Sequence, residues 1–427
     1  MAMDYKTMHP AEQIAKIMSR IYGRGMTTTS GGNLSYRDDE GRVWVSPARL
    51  DKAELKPEDI VCILPDGTFV GRNKPTSEYH FHLEALRARP DLRSILHAHS
   101  LGLMSYSFLH EAPPLDVFPL LRAACGPISV ARYALAGTEA LSMRVREEFA
   151  RGSNAAILEN HGVVVGGTDL MDAYIRFERI EFCAEVILAA QRASLPENAA
   201  AVPSDILADA RALPEADFME CSPEESTARA LVSKLAHRLY RQKLCLTTGG
   251  AFSIRLGEDS FIMSPAGVDR KWLAPEDTVR VSGGRRERGK LPDAAVRLHR
   301  AIFRAHPEVN FVIMADAPHS LAFGLTGREM NCRIVPEAYL LVRSVPSLPC
   351  GAWLHDPERI AAIVGENSPV LLFQNDSLLV IGRDWFDSYD RVEVADYNAK
   401  SIMDAERIGQ TVPLTGAEIR EFEKAFF

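Results

Sequence analysis

The residues most able to do chemistry in this chain are three histidines and one glutamate. In RSILHAHS (93–100), His97 and His99 stand two apart, so in a strand both imidazoles leave the same face. Two neutral imidazoles near a strand end suit a divalent metal. A partly buried His-x-His pair inside a sheet is the competing reading. His161 lies in an Asn-His-Gly turn between two β-branched runs, and alone it reads as a surface-turn histidine. Glu78 stands in the first turn of a helix after Thr76 and Ser77. There it is either an acid favoured by the helix dipole, with Ser or Thr as cap, or a carboxylate beside a metal, as ligand or general base. The run Ser30-Gly31-Gly32-Asn33 can present backbone N–H groups to an anion.

The elements that position these residues occur twice. TTSGGNLSYR (28–37) matches LTTGGAFSIR (246–255), and VWVSPARL (43–50) matches FIMSPAGV (261–268). KPTSEYHFHLEALRARPDLRSILHAHS (74–100) lies over the stretch from Lys290 without a gap from Pro75 onward, so that His82 meets His299. AILENHGVVVGGTDLMDAY (156–174) corresponds to LLFQNDSLLVIGRDWFDSY (371–389). Four ordered blocks mark a tandem duplication. Residues 1–205 form the first domain and 227–427 the second. The Ala/Pro/Glu/Ser-rich join, with 206–226 as linker, has room for one short helix. Each copy alternates helical and β-branched periods: a helix over 9–25, strands at RVWVSP and IVCILPDG, a helix after Pro75, a strand at RSILHAHS, two runs around Asn-His-Gly and a long helix from Asp169. This pattern predicts an α/β (α+β) domain with a central sheet.

Comparing the copies separates scaffold from chemistry. Glu78 becomes Ala295, His97 Met314, His99 Asp316, His161 Asp376 and Asn33 Ala251, while the prolines, the apolar strand positions and His82 persist. The comparison groups Glu78, His97, His99 and His161 as one functional set, favours a metal site, and assigns His82 to the scaffold.

Composition sets the outer bounds. The chain has 427 residues, 46% hydrophobic and 25% charged, as ordinary globular proteins do. A net charge of −8 argues against nucleic acid and a polybasic membrane surface. The seven scattered cysteines, with no CxxC pair, and an opening without a signal-peptide pattern predict a reduced, cytoplasmic protein. No apolar run reaches the roughly 18 residues of a membrane span.

SGGNLSYR, VSP, KPTSEYHFH, HAHS and ENHGVVVGG together resemble the blocks of the class II aldolase/adducin family. The second domain resembles the same fold without its ligands. The resemblance implies two tandem domains, each a nine-stranded, mainly antiparallel sheet between helix layers, assembled as a homo-oligomer with sites between subunits. It matches His97, His99 and His161 to the metal histidines, with zinc the expected ion, and Glu78 to the acid/base glutamate. It matches Asn33, Thr76 and Ser77 to positions that hold substrate phosphate. The implied activity is a metal-dependent aldehyde-lyase acting on a small sugar phosphate or related anionic ketose through a metal-stabilised enediolate. Dehydration, decarboxylation or 4-epimerisation at the same metal, and a non-catalytic adducin-like scaffold, are the alternatives. Glu78, where epimerases carry aspartate, argues against epimerisation.

Two departures bear on this reading. After Ser46-Pro47 the phosphate loop continues Ala48-Arg49, where family aldolases have Thr-Gly. Ser46 and Arg49 are candidates for the anion, Arg49 as a bidentate clamp for phosphate or carboxylate or as a solvated turn residue. The family's proton-donating tyrosine falls near Phe118. In the second copy the basic stretch Arg285, Arg286, Arg288 and Lys290 is either a solvated loop or a set of side chains lent to the first site.

Overall fold

The β-branched runs of each copy are too short to stand alone, and they pair into one sheet per copy. A computed structural model describes residues 5–191, 202–218 and 221–426. Parts of the join, 192–201 and 219–220, lie outside the described residues. The chain divides into two compact units, one of residues 5–116 with Leu121–Glu185, the other from Val186 onward with Val117–Leu120.

The first unit has eight strands: β1 (Asn33–Arg37), β2 (Val43–Val45), β3 (Val61–Ile63), β4 (Phe69–Val70), β5 (Ser94–Ala98), β6 (Ile128–Ala131), β7 (Ala155–Leu158) and β8 (Gly162–Gly167). Their order is β4-β3-β2-β1-β5-β8-β7-β6, antiparallel except for the β6–β7 edge pair. The helices are α1 (Pro10–Gly23), α2 (Tyr79–Ala88), α3 (Leu101–Leu109), α4 (Pro119–Cys125), α5 (Glu139–Ala150) and α6 (Leu170–Ala190). Ile95 and Leu96, neighbours on β5, point to opposite faces, and both are fully buried. Helices therefore cover the sheet on both sides. On one side, Phe81, Ala85 and Leu86 of α2 and Leu141, Val145 and Phe149 of α5 pack on Val45, Ile95 and Val164.

The second unit repeats these eight positions and adds one. Its sheet runs Ser347–Leu348, Val370–Phe373, Ser377–Gly382, Phe311–Ala315, Ala251–Gly257, Ser260–Met263, Val279–Ser282, Arg285–Glu287 and Glu215–Ala216. The last strand comes from the stretch read as linker and pairs in parallel with Arg285–Glu287. The expected nine strands per copy are thus found in the second copy only. The first sheet ends at β4, where no described preceding segment pairs with the edge. The short helix expected in the join is Ala208–Ala212.

Among the described residues no helix is long and apolar enough to cross a membrane. All seven cysteines are free thiols.

Ile95 lies at the centre of this packing. Ile95→Ala is expected to cost roughly 2–5 kcal/mol, by lost burial plus the cavity left behind. A urea titration should show the lower midpoint, and an unmoved midpoint would contradict the packing described.

Candidate metal centre

Three neighbouring strands place the first ligands. Asn33 of β1 sits directly opposite His97 of β5, and β5 pairs with β8 so that Ala98 faces Val163. His97 is fully buried, and its Nδ1 lies 2.9 Å from the Val163 carbonyl. A carbonyl can only accept, so Nδ1 carries the proton and Nε2 keeps its lone pair. That Nε2 faces His99 Nε2 at 2.9 Å, just beyond the end of β5.

His161 arrives from the β7–β8 hairpin. The turn places Asn160 at φ 53°, a left-handed conformation asparagine tolerates. The residue after His161 must be glycine, because a Cβ on Gly162 would meet the Ala98 carbonyl at 2.6 Å and the His99 ring at 2.8 Å. Gly32 is constrained likewise: φ is 71°, and a Cβ would lie 2.7 Å from the His97 carbonyl. Both glycines let backbone close around the histidines. The ligand nitrogens of His97, His99 and His161 all lie within 4.8 Å of one another.

Glu78 closes the group. It is the residue preceding α2 and its own side chain does not cap that helix, while Thr76 Oγ1 accepts from Glu78 N at 3.4 Å. Its carboxylate turns inward instead. Oε2 lies 3.5 Å from His97 Nε2, and Oε1 lies 3.2 Å from His161 Nε2 with no hydrogen-bond partner of its own. Asn33 Nδ2 donates to Oε2 at 2.7 Å and to Thr76 Oγ1 at 3.1 Å. Burial alone would raise the Glu78 pKa, but His97, His161 and the Asn33 amide outweigh it and hold the carboxyl well below its ordinary range. Burial pushes His97 down to about 3 and lowers His99, so both are neutral donors.

A divalent cation fits this donor set. Nitrogen lone pairs converge beside a carboxylate oxygen with no bond of its own. Neutral imidazoles with a carboxylate suit zinc and its neighbours better than magnesium or calcium, which prefer oxygen.

The remaining candidates divide. Thr76 is buried against Asn33, while Ser77 and Arg49 are exposed. Arg49 holds φ 57°, where the second copy has Gly267 at φ 70°, and no ion pair or hydrogen bond of its guanidinium is found among the described residues. Ser46 is fully buried, and its hydroxyl accepts from Leu34 N at 3.1 Å. Ser264 accepts from Phe252 N at 3.0 Å in the same way, so this serine ties the scaffold in both copies. Asn33, expected on phosphate, spends its amide N–H groups on Glu78 and Thr76. Phe118 is buried and offers no hydroxyl.

Sequence reasoning passed over two buried bases. Lys52 is 2% exposed, its Nζ donates to the Pro47 carbonyl at 3.1 Å, and burial lowers its pKa to about 8. Its only advance signal was a basic residue at the matching position, Arg270. His82, taken as scaffold, reaches Ser35 Oγ with Nδ1 at 2.8 Å and Asn33 Oδ1 with Nε2.

The second copy has filled the corresponding space. Arg270 is fully buried and donates to the carbonyls of Gly249, Gly250, Pro265 and Val268. Asp376 accepts from Trp353 Nε1 and Gly351 N, and Asp316 accepts from Leu246 N. Arg286, Arg288 and Lys290 pair within their own unit with Glu215, Asp217 and Glu287. Three of the four basic groups expected to reach another site are therefore committed locally.

The sequence profile described as "Class II Aldolase and Adducin N-terminal domain" matches residues 12–188 and 230–403. The chain belongs to the class II aldolase and adducin family. It is 33% identical over 178 residues to 5-deoxy-D-ribulose 1-phosphate aldolase of Bacillus thuringiensis, covering 41% of this chain and 82% of that protein. It is 35% identical over 178 residues to L-fuculose phosphate aldolase of Methanocaldococcus jannaschii, covering 42% and 94%. It is 31% identical over 184 residues to 3-oxo-tetronate 4-phosphate decarboxylase of Haemophilus influenzae, covering 42% and 87%. A solved L-fuculose 1-phosphate aldolase is 29% identical, with a TM-score of 0.40, over 43% of this chain and 86% of that one. Relatives of this family thus match one copy's length, and the family profile matches both copies.

His299, the counterpart of His82, is fully buried with an unpartnered Nε2, and burial holds its pKa at about 3. A folded pKa below the unfolded value means the unfolded chain binds the proton first, so stability is lost as pH falls below about 6.5 toward the folded pKa. Between pH 7 and 5 this group is expected to cost about 2 kcal/mol. His299→Phe should flatten that part of the urea-midpoint profile, and parallel profiles for the two proteins would refute the assignment.

Proposed function

We propose that the first copy is a metal-dependent aldehyde-lyase of the class II aldolase type, acting on a small sugar phosphate or related anionic ketose. The observation that carries the reading is the convergence of His97, His99 and His161 beside the buried, ionised Glu78. The three imidazoles would hold a divalent ion, zinc by donor type. When bound, the ion supplies Lewis-acid stabilisation of the negative charge that develops on oxygen as the carbon–carbon bond breaks. Glu78 moves the proton. Asn33 fixes Oε2, and Oε1, without a bond of its own, is the oxygen that exchanges it. Ser77 and Arg49, both exposed, would take the anionic end of the substrate, together with Thr76 and Asn33. The second copy, without these groups, serves as scaffold. A cytoplasmic homo-oligomer is part of the same proposal.

A second reading keeps the site and changes the bond broken. Decarboxylation of a 3-oxo acid phosphate leaves the same kind of charge on oxygen. The observation that favours it is Arg49, an exposed guanidinium with no partner among the described residues, which can receive a carboxylate.

The deciding experiment is metal analysis with product analysis. About one equivalent of zinc per chain is expected in the wild type and none in His97→Ala. The loaded protein should release an aldehyde from L-fuculose 1-phosphate or 5-deoxyribulose 1-phosphate, or carbon dioxide from 3-oxo-tetronate 4-phosphate. Glu78→Gln should keep its metal while kcat falls about 10²–10⁴-fold. Absence of metal from the supplemented wild type would reject the lyase and favour the adducin-like scaffold.

Arg49 yields a separate expectation. The left-handed backbone costs a non-glycine residue roughly 1 kcal/mol, so Arg49→Gly should raise the urea midpoint while raising KM for the anionic substrate. A variant that gains stability without any change in KM would show that Arg49 takes no part in binding.

A further inference from the structure

Glu78 is a charge in a dry place, and what faces it decides whether it stays ionised. Asn33 donates a hydrogen bond to it, and an asparagine amide has two ends of similar shape. Turned one way, Asn33 gives an N–H to the carboxylate. Turned the other way, it sets a carbonyl oxygen against it. Nothing in Asn33 itself chooses between these orientations.

The choice is made one layer deeper. Asn33 Oδ1 meets Nε2 of His82, a fully buried ring on α2 that stacks on Phe81. The Nδ1 atom of that ring meets the Ser35 hydroxyl, two residues from Asn33 on β1. Burial holds His82 neutral, with its pKa pushed down to about 4, so the ring carries a single proton. Two acceptors face the ring, Asn33 Oδ1 and the Ile95 carbonyl; with the single proton on Nε2 it serves Oδ1, and Nδ1 accepts from Ser35. The donors then run in one direction: Ser35 O–H to His82, His82 N–H to Asn33, Asn33 N–H to Glu78.

The second copy supplies a control within the same chain. Ser253 contacts His299 Nδ1 at 2.6 Å, which is the same inner half of the relay. The outer half is missing, because Asn33 has become Ala251 and Glu78 has become Ala295. His299 Nε2 is left buried without a partner. The fold therefore accommodates the histidine with nothing on its outer nitrogen, and only the copy with the carboxylate uses that nitrogen.

We propose that His82 is a positioning residue whose Nε2–H orients Asn33, so that the Asn33 amide N–H rather than its carbonyl faces Glu78. The inference rests on the reading of Glu78 as the proton-exchanging group, since a relay that sets its oxygens matters only if they react. His82 touches neither substrate nor metal. Partners at this remove typically contribute about 10–100-fold to activity.

The test uses the full-length, zinc-loaded protein. His82→Phe should lower kcat about 10–100-fold on the ketose phosphate that the wild type cleaves, with KM and bound zinc unchanged. His82→Gln, whose amide N–H still reaches Asn33, should recover most of that loss. Asn33→Ala combined with His82→Phe should be no slower than Asn33→Ala alone, because the two act in series. His299→Phe, which removes the same ring from the other copy, should leave kcat unchanged. Independently of turnover, ¹⁵N-histidine spectra should show the resonance lost in His82→Gln as the Nε2–H tautomer, shifted in Asn33→Ala.

Full activity of His82→Phe, a His82→Gln variant as slow as His82→Phe, additive losses, or an Nδ1–H tautomer would each overturn the proposal. If His82→Phe does not fold, His82→Gln and the tautomer still decide. If the wild type turns over neither the ketose phosphates nor 3-oxo-tetronate 4-phosphate, the reading of Glu78 fails, and the tautomer with its response to Asn33→Ala judges the relay by itself.

Discussion

The constraint on which the first unit depends is a carboxylate buried among imidazoles. An ionised group in the interior costs several kcal/mol unless it is paired and hydrogen-bonded. Glu78 sits among His97, His161 and Asn33, and each neighbour comes from a different part of the sheet. Asn33 is on β1, His97 on the adjacent β5, and His161 at the turn leading into β8. The antiparallel register does the rest. It sets Asn33 opposite His97, and it brings the Val163 carbonyl to His97 Nδ1, which leaves Nε2 as a lone pair. A slip of one residue between β1 and β5 would send Asn33 to the other face and strand the carboxylate. The buried charge and the strand register thus specify each other.

The duplicated copy shows what this register supports once the charge is gone. Ala251 faces Met314 as Asn33 faces His97, so the backbone frame survives the loss of both polar groups of that pair. With Ala295 at the Glu78 position no amide is needed to face a carboxylate, though alanine at 251 leaves His299 Nε2 without a partner. The interior is then neutralised differently. Arg270 extends into the glycine turn and binds its carbonyls, where the shorter Lys52 of the first copy reaches only Pro47. The aspartates that replace His99 and His161 accept backbone and indole N–H groups. One frame has reached two self-consistent interiors, one arranged around an anion and one closed by a cation.

Much of this was legible in the sequence, for identifiable reasons. The His97/His99 pair obeys the two-residue period of a strand, and Asn-His-Gly announces its own turn, so the metal group could be assembled from spacing and from the comparison of copies. The deeper layer could not. His82 persists as His299, and persistence suggests scaffold, yet the ring has two nitrogens with separate duties. The Ser35/Ser253 side is common to both copies, and only the other side distinguishes them. Ser46 misled in the opposite direction. It lies in the loop where an anion contact is expected, but its hydroxyl ties two strands, a bond set by pairing that no local pattern announces. The ninth strand of the second sheet is two residues of a polar segment, held by an edge partner distant in sequence.

The same two-copy logic separates the site from its supports at α3. This helix begins directly after His99 and Ser100, so its positive end lies beside the proposed cation, an unfavourable placement unless offset. Glu181 of α6 offsets it. Its carboxylate accepts from Gly102 N, Leu103 N and the Ser100 hydroxyl, while burial pushes its pKa up to about 7. Taken alone, a perturbed acid next to metal ligands invites a catalytic role. The second copy argues otherwise. Asp396 accepts from His319 N and Ser320 N at the start of the equivalent helix, in a unit where every metal-site histidine has been replaced. An acid retained where the ligands are gone answers to the helix end, whose first N–H groups have no partners within the helix. Glu181 therefore holds up the strand-to-helix corner that carries His99, and Glu78, absent from the second copy together with its histidines, is the acid that belongs to the chemistry.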